Sequence, residues 1–179
     1  SVPPLRPPWR NFPHETPDAI KFPIRYPSTG WDDDQGNEMS EIRYETPDTA
    51  AAAVALLAAA TGPARVLAGG TDLLIQMRSG RLEPELLVDV KGIAEMTSIA
   101  AENGGFRFGA AVTCMELIEH EAFAKAWPGV ADSVKLIGSV QVRGRATVGG
   151  NVCNASPAAD SVPAMIAAGA TASVLGPNG

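Results

Sequence analysis

The sequence predicts an α/β or α+β domain with mixed sheets, and three observations carry that reading. Short apolar runs of strand length interleave with longer stretches of helical pattern. Two alternating segments flank Asn103-Gly104-Gly105, as the arms of a hairpin would. Capping residues and glycines stand where one pattern gives way to the next.

Glu41–Tyr44 reads as a short strand. Pro47-Asp48 opens an alanine-rich helix over Thr49–Ala60, and Gly62-Pro63 stops it. Arg65–Leu67 is a second short strand. Thr71 is placed to cap a helix running to about Arg78, which Gly80 ends. Leu86–Val90 is a third strand, and Ser98–Ala101 with Phe106–Ala110 make the hairpin. Thr113 caps a helix to about His120, and Pro128 to Ile137 reads as another. Ser161–Ala168 is helical and Thr171–Leu175 is a strand. The sequence then closes on Gly176-Pro177-Asn178-Gly179, turn residues with no following strand to pair, so it reads as cut within a domain.

Residues 1–38 differ from the rest. They hold eight of the fifteen prolines, two of the three tryptophans and the run Asp32-Asp33-Asp34. Proline at that density blocks helices and ladders alike. The expectation is an extended tail or linker that could wrap a neighbour through Trp9, Phe12 and Trp31, or a stretch upstream of a natural start at Met39. Residues 39–179 form the domain proper.

The net charge of −6 argues against nucleic acid or an anionic membrane, since both need a basic face. No apolar run reaches the roughly 18–20 residues of a membrane span. No basic segment leads into an apolar one as in a secretion signal. Two cysteines, Cys114 and Cys153, are too few for a disulfide framework or an iron–sulfur cluster. They read as reduced thiols, and the expected location is cytoplasmic.

Two soft, glycine-bearing stretches carry the functional signal: Val66–Leu74, reading VLAGGTDLL, and Thr147–Pro163, reading TVGGNVCNASPAADSVP. In the first, two glycines after a strand let the backbone turn tightly and expose N–H groups, an arrangement suited to phosphate. The plain alternative is a strand-to-helix turn. No lysine follows Gly70 as a P-loop requires, and Leu73 stands where a dinucleotide fingerprint needs its third glycine. In the second, Thr147, Gly149, Gly150 and Asn151 offer backbone donors, while Asn154, Ser156 and Asp160 offer acceptors for sugar or polyol hydroxyls. Arg143 and Arg145 could offset phosphate charge or simply be solvated. Two such loops suit a long ligand with a diphosphate at its middle, a dinucleotide better than a mononucleotide.

The segments LAGGTDLLIQMRSG and GSVQVRGRATVGGNVCNASPAADSVPA, in this order, resemble the FAD-binding subunit or domain of the molybdenum hydroxylases, the xanthine, carbon monoxide, nicotinate and aldehyde dehydrogenase relatives. The resemblance runs from about Glu41 onward and includes LVDVKGIAEMTSI and FGAAVT. It departs where relatives often read Arg-Asn-Arg-Gly-Thr and this chain has Arg143-Gly144-Arg145-Ala146-Thr147. The resemblance implies an α+β fold of the PCMH type with mixed sheets and flanking helices, and noncovalently bound FAD. It implies that Val66, Leu67, Ala68, Gly69, Gly70, Thr71, Asp72 and Leu73 line the pyrophosphate and its surroundings, with Asp72 bonding its own helix and facing away. Thr147, Val148, Gly149, Gly150 and Asn151 would form a second wall, Asp160 would accept from ribose or ribityl hydroxyls, and Ile137 would pack on the cofactor.

A flavin stores and passes electrons itself, so no catalytic residue and no metal ligand is expected here. His120 reads as a helix C-terminal group and His14 lies in the tail; neither follows a covalent-attachment motif. The resemblance further implies a large molybdopterin subunit and a small subunit with two 2Fe–2S clusters as partners. Electrons would pass through the flavin to an external acceptor. The competing readings are a free-standing FAD-dependent oxidoreductase of similar fold and a non-catalytic assembly module.

Overall fold

A computed structural model describes residues 42–179. The expectations for residues 1–38, including Trp9, Phe12, His14 and Trp31, lie outside the described residues.

Three strands, β1 (Arg43–Glu45), β2 (Ala64–Leu67) and β3 (Leu86–Asp89), form a parallel sheet in the order β1-β3-β2. Every residue of β3 is buried, which suits an unbroken Leu-Leu-Val run covered on both faces. Helix α1 (Ala50–Ala58) joins β1 to β2 and contributes Ala53, Leu56 and Leu57 to the core around Leu86, Val88 and Ile93. Thr49 starts it by accepting the Ala52 amide at 3.1 Å. Helix α2 (Leu73–Arg78) follows β2 and ends as expected at Gly80, at φ +68°. There the Gly80 and Arg81 amides return to the Met77 and Gln76 carbonyls, the paired bonds of a Schellman cap.

The antiparallel hairpin stands apart from that sheet, so the two kinds of pairing are segregated rather than mixed within one sheet. Its strands are β4 (Ile99–Glu102) and β5 (Gly105–Phe108). Asn103 and Gly104, at φ 50° and 77°, make the two-residue turn, and Gly105 already belongs to β5.

A helical layer follows. Thr113 begins α3 (Cys114–Glu119) with a reciprocal box: its hydroxyl accepts the Glu116 amide, and the Glu116 carboxylate accepts the Thr113 amide. His120 ends α3 as its C-cap, as expected, and has a second role. It starts a further helix, α4 (Glu121–Ala126), by accepting the Phe123 amide on Nδ1 at 3.1 Å. Helix α5 (Pro128–Val134) stops three residues short of Ile137. Three short helices complete the layer: α6 (Val140–Arg143), α7 (Val148–Cys153) and α8 (Ser161–Ala167).

Two expectations need correction here. The Thr147–Pro163 stretch is not soft throughout, because it forms α7 and buries Thr147, Val148, Ala159 and Ser161. Thr171–Leu175 is not a strand: it finds no partner among the described residues, and Val174 is 84% exposed. A five-residue segment without a partner strand has no ladder to hold it extended.

The helical core holds Val112, Cys114, Leu117, Phe123, Val130, Val134, Ile137, Ala146 and Val148. Burial pushes the Cys114 thiol up to about 11, whereas Cys153 is exposed. A disulfide reagent at neutral pH should therefore titrate one thiol in the folded chain and both after denaturation; rapid reaction of both in the native state would contradict the packing of Cys114. The linkage has a sign as well. The folded thiol keeps its proton beyond the value of 9.0 at which the unfolded one loses it, so its contribution to stability is lost as pH rises from there toward about 11.

Candidate functional site

The two glycine stretches meet. A Cβ built on Gly69 would overlap the Arg145 carbonyl oxygen and lie 2.8 Å from its carbon, so the absence of a side chain at Gly69 is what lets the two backbones touch. One turn further along, Gln76 Nε2 donates to Asn154 Oδ1 at 3.0 Å and ties α2 to the end of α7. The second stretch is anchored from behind. Thr113 and Thr147 form an isolated antiparallel bridge, and the Cys114 amide donates to the Ala146 carbonyl at 2.7 Å.

The first loop has the free donors that phosphate needs. Among the described residues, the amides of Gly69, Gly70, Thr71, Asp72 and Leu73 donate to nothing, and the next, that of Leu74, returns to the Gly70 carbonyl. Gly69 is buried, and Gly70 holds φ +77°, a conformation that favours glycine. Consecutive unsatisfied N–H groups at a strand end make a concavity for an anion. Thr71 is half-buried and does not cap the helix. The N-cap position belongs to Asp72, whose exposed carboxylate makes no capping bond, contrary to the expectation that it would bond its own helix. Val66, Leu74 and Ile75 leave apolar side chains exposed beside these donors, while Leu67 is buried under them and Ala68 and Leu73 are half-buried.

The second loop is less open than its sequence suggests. Thr147 is buried and caps α7: its hydroxyl accepts the Gly150 amide at 2.9 Å and its carbonyl accepts the Asn151 amide at 2.9 Å. Two of the expected free donors are thus consumed by the helix. Val148 is core, and Gly149 lies against Ala110, which a Cβ would approach to 2.6 Å. Asn151 accepts from the buried Ser161 hydroxyl at 2.7 Å, which places the start of α8 beside α7. Asp160 stands at that start, exposed and with no capping bond, so its carboxylate can accept hydroxyls. Ile137 packs in the core with Ala146 and Val148 beneath the loop and is only 8% exposed, so its side chain does not present a face to a ligand as expected.

Arg143 is neither a phosphate counter-charge nor solvated. Its guanidinium donates to the carbonyls of Lys135 at 2.8 Å, Gly138 at 2.9 Å and Ile137 at 3.4 Å, and so closes the chain between α5 and α6. Arg145 remains exposed.

Three residues that sequence reasoning passed over adjoin the first loop. The Tyr44 hydroxyl donates to Asp89 Oδ2. Burial, then the bonded Asp89 carboxylate, pushes the Tyr44 phenol well above its usual range, so the hydroxyl stays protonated as donor. Asp89 Oδ1 accepts both from Lys91 Nζ, at 2.7 Å, and from the Lys91 amide, at 2.9 Å. Lys91 Nζ also donates to the Ala68 carbonyl at 3.1 Å. The one sequence signal was the charged Asp89-Val90-Lys91 at the end of an otherwise apolar strand.

Comparison with known proteins accords with this geometry. The family model described as the FAD binding domain in molybdopterin dehydrogenase matches residues 39–179. The chain is 36% identical over 137 residues to the xanthine dehydrogenase FAD-binding subunit of Escherichia coli O157:H7, covering 76% of this chain and 47% of that protein. It is 35% identical over 138 residues to the carbon monoxide dehydrogenase medium chain of Hydrogenophaga pseudoflava, covering 77% of this chain and 48% of that one. A solved carbon monoxide dehydrogenase from Hydrogenophaga pseudoflava, lacking the Mo-pyranopterin moiety, superposes with a TM-score of 0.62 at 34% identity, over 65% of this chain and 40% of that chain. The chain spans about half the length of the curated relatives it matches.

Proposed function

Because the chain belongs to the family of FAD binding domains in molybdopterin dehydrogenases, we propose that it holds FAD for electron transfer within a molybdenum-containing dehydrogenase complex. The observation that carries this reading is the meeting of Gly69 with Arg145 beside the run of free amides from Gly69 to Leu73.

The residues present suit the cofactor. The free amides match the diphosphate, since each can donate to a charged oxygen without displacing an existing bond. Gly70 at φ +77° keeps that turn, and Arg145, exposed on the facing loop, adds positive charge without being bound elsewhere among the described residues. Thr147, Val148, Gly149, Gly150 and Asn151 act as the second wall by forming a rigid helix start, with Gly149 seated on Ala110. Asp160 is the acceptor for a sugar or polyol hydroxyl. Val66, Leu67, Ala68, Thr71, Asp72 and Leu73 complete the first wall; Ile137 supports the second from below.

Bound FAD would supply reversible electron storage, and no acid or base from this chain is required for that. The chain's own tasks are to bind, orient and partly shield the cofactor. Electrons would arrive from 2Fe–2S clusters in a small subunit, derived from substrate oxidised in a large molybdopterin subunit, and would leave to an external acceptor. The relatives' names, xanthine dehydrogenase FAD-binding subunit and carbon monoxide dehydrogenase medium chain, support membership in such an assembly.

The test is a titration of the chain with FAD, followed by flavin fluorescence, beside the same titration with riboflavin. FAD should bind saturably and more tightly than riboflavin by at least tenfold, because the amides of the first loop serve only a phosphate-bearing ligand and each bond to a charged group is worth roughly 1.5–3 kcal/mol. Equal affinity for the two would remove the diphosphate from the argument, and no saturable binding of either would overturn the reading.

A further inference from the structure

We propose that Tyr44, Asp89 and Lys91 form a brace that sets the direction of the first loop's free amides, with Lys91 as the positioning residue. The inference rests on the FAD reading above but concerns residues outside both glycine loops.

The brace is a chain of bonds from the buried sheet to the loop. Asp89 closes β3 and pairs in register with Leu67, the last residue of β2, so its carboxylate stands beside the point where the chain enters the loop. That carboxylate is almost wholly withdrawn from solvent, with a side chain 10% exposed. An ionised carboxylate so placed needs its oxygens occupied. Tyr44 of β1 donates to one oxygen, and the amide and ammonium of Lys91 donate to the other. The ammonium is thereby held by a short turn at its base and by an ion pair at its tip, and its remaining reach is spent on the Ala68 carbonyl at 3.1 Å.

That last bond has a geometric consequence. The Ala68–Gly69 peptide is trans, so its N–H points opposite to its carbonyl. Drawing the Ala68 oxygen toward Lys91 directs the Gly69 amide away from β3, and Gly69 is the first of the free donors. Gly69, whose φ sets one side of this peptide plane, would otherwise leave it freer to rotate than any other residue would. The C-terminal end of the central strand therefore supplies orientation that the loop's own residues lack. Arg145 faces the same cluster from the second loop, close enough for its charge to act on Tyr44. The brace thus sits where sheet, first loop and second loop converge.

The experiment compares K91M, K91R, D89N and the unaltered full chain by three measurements: FAD affinity by fluorescence titration, melting temperature, and backbone order of Gly69 and Gly70 by 15N relaxation without ligand. K91M should weaken FAD by about ten- to a hundredfold, the span of one lost bond to a charged group. Its melting temperature should stay within a few degrees of the unaltered chain, and the Gly69 amide should become more mobile. K91R should restore most of the affinity, and D89N should behave like K91M with a larger loss of melting temperature. Unaltered FAD affinity in K91M, or an affinity loss that K91R does not recover, would overturn the brace. If the unaltered chain itself fails to bind FAD, the functional reading fails; the brace is then decided by the ligand-free data, and equal order at Gly69 in K91M and the unaltered chain overturns it.

Discussion

Replacing Gly69 by valine is expected to separate the two glycine loops and to lose both stability and flavin. The Cβ would overlap the carbonyl oxygen of Arg145 and lie 3.0 Å from Ala146 Cα, so the obstacle is backbone on the facing loop and cannot swing aside as a side chain would. Overpacking of this kind costs about 1–3 kcal/mol, which for a domain of this size lowers the melting temperature by roughly 3–10 °C. FAD affinity should fall by more than a hundredfold, because shifting the loop misdirects several donors together and each bond to a charged group is worth roughly 1.5–3 kcal/mol. Gly129→Ala is the control. Gly129 lies in α5, and a Cβ there meets open space. It should leave flavin unchanged and stability equal or slightly raised, since alanine is the better helix former. A G69V chain that melts like the parent and keeps its FAD would show that the loops do not depend on their contact.

The same position illustrates how far the sequence could be read. That Gly69-Gly70 marks a tight turn with free amides followed from the residue types alone, and Gly70 at φ +77° bears it out. Local signals served equally well elsewhere. Thr113 caps its helix, Gly80 ends α2, and Asn103-Gly104 turns the hairpin, each through bonds within a few residues of chain. What escaped was of two kinds. Short helices with poor intrinsic propensity, such as α7 with its two glycines, gain their stability from burial of Val148 and from the Thr147 cap, not from periodicity over six residues. Contacts across many residues left no mark either. Tyr44 and Asp89 lie 45 positions apart, and the three carbonyls that hold Arg143 come from the segment between α5 and α6, where no side-chain pattern announces them. A charged residue looks solvated in a sequence until its partners are in place.

Gly149 and Gly150 are neighbours in the sequence, yet alanine should affect them differently. At Gly149 the new Cβ would come within 2.6 Å of the Ala110 carbonyl oxygen and 2.7 Å of its Cα and Cβ. Ala110 precedes the buried Ala111 and Val112, so it has little room to retreat. G149A should lose about 1–3 kcal/mol, a drop of roughly 3–10 °C in melting temperature. At Gly150 the Cβ meets only the Thr147 hydroxyl, at 2.8 Å. Weakening that cap costs about 1 kcal/mol, and the better helix propensity of alanine returns a similar amount, so G150A should melt close to the parent. Thermal melts of the two variants followed by circular dichroism, with FAD titrated into each, decide what the second loop is for. If Gly149 is needed because a ligand approaches its backbone, G149A will melt like the parent and lose FAD. If it is needed because α7 rests on Ala110, the melting temperature falls in the absence of any ligand, and affinity weakens only as far as the helix start is displaced. The contact distances favour the second outcome, in which the first loop supplies the donors and the second supplies a rigid wall at the right depth behind them.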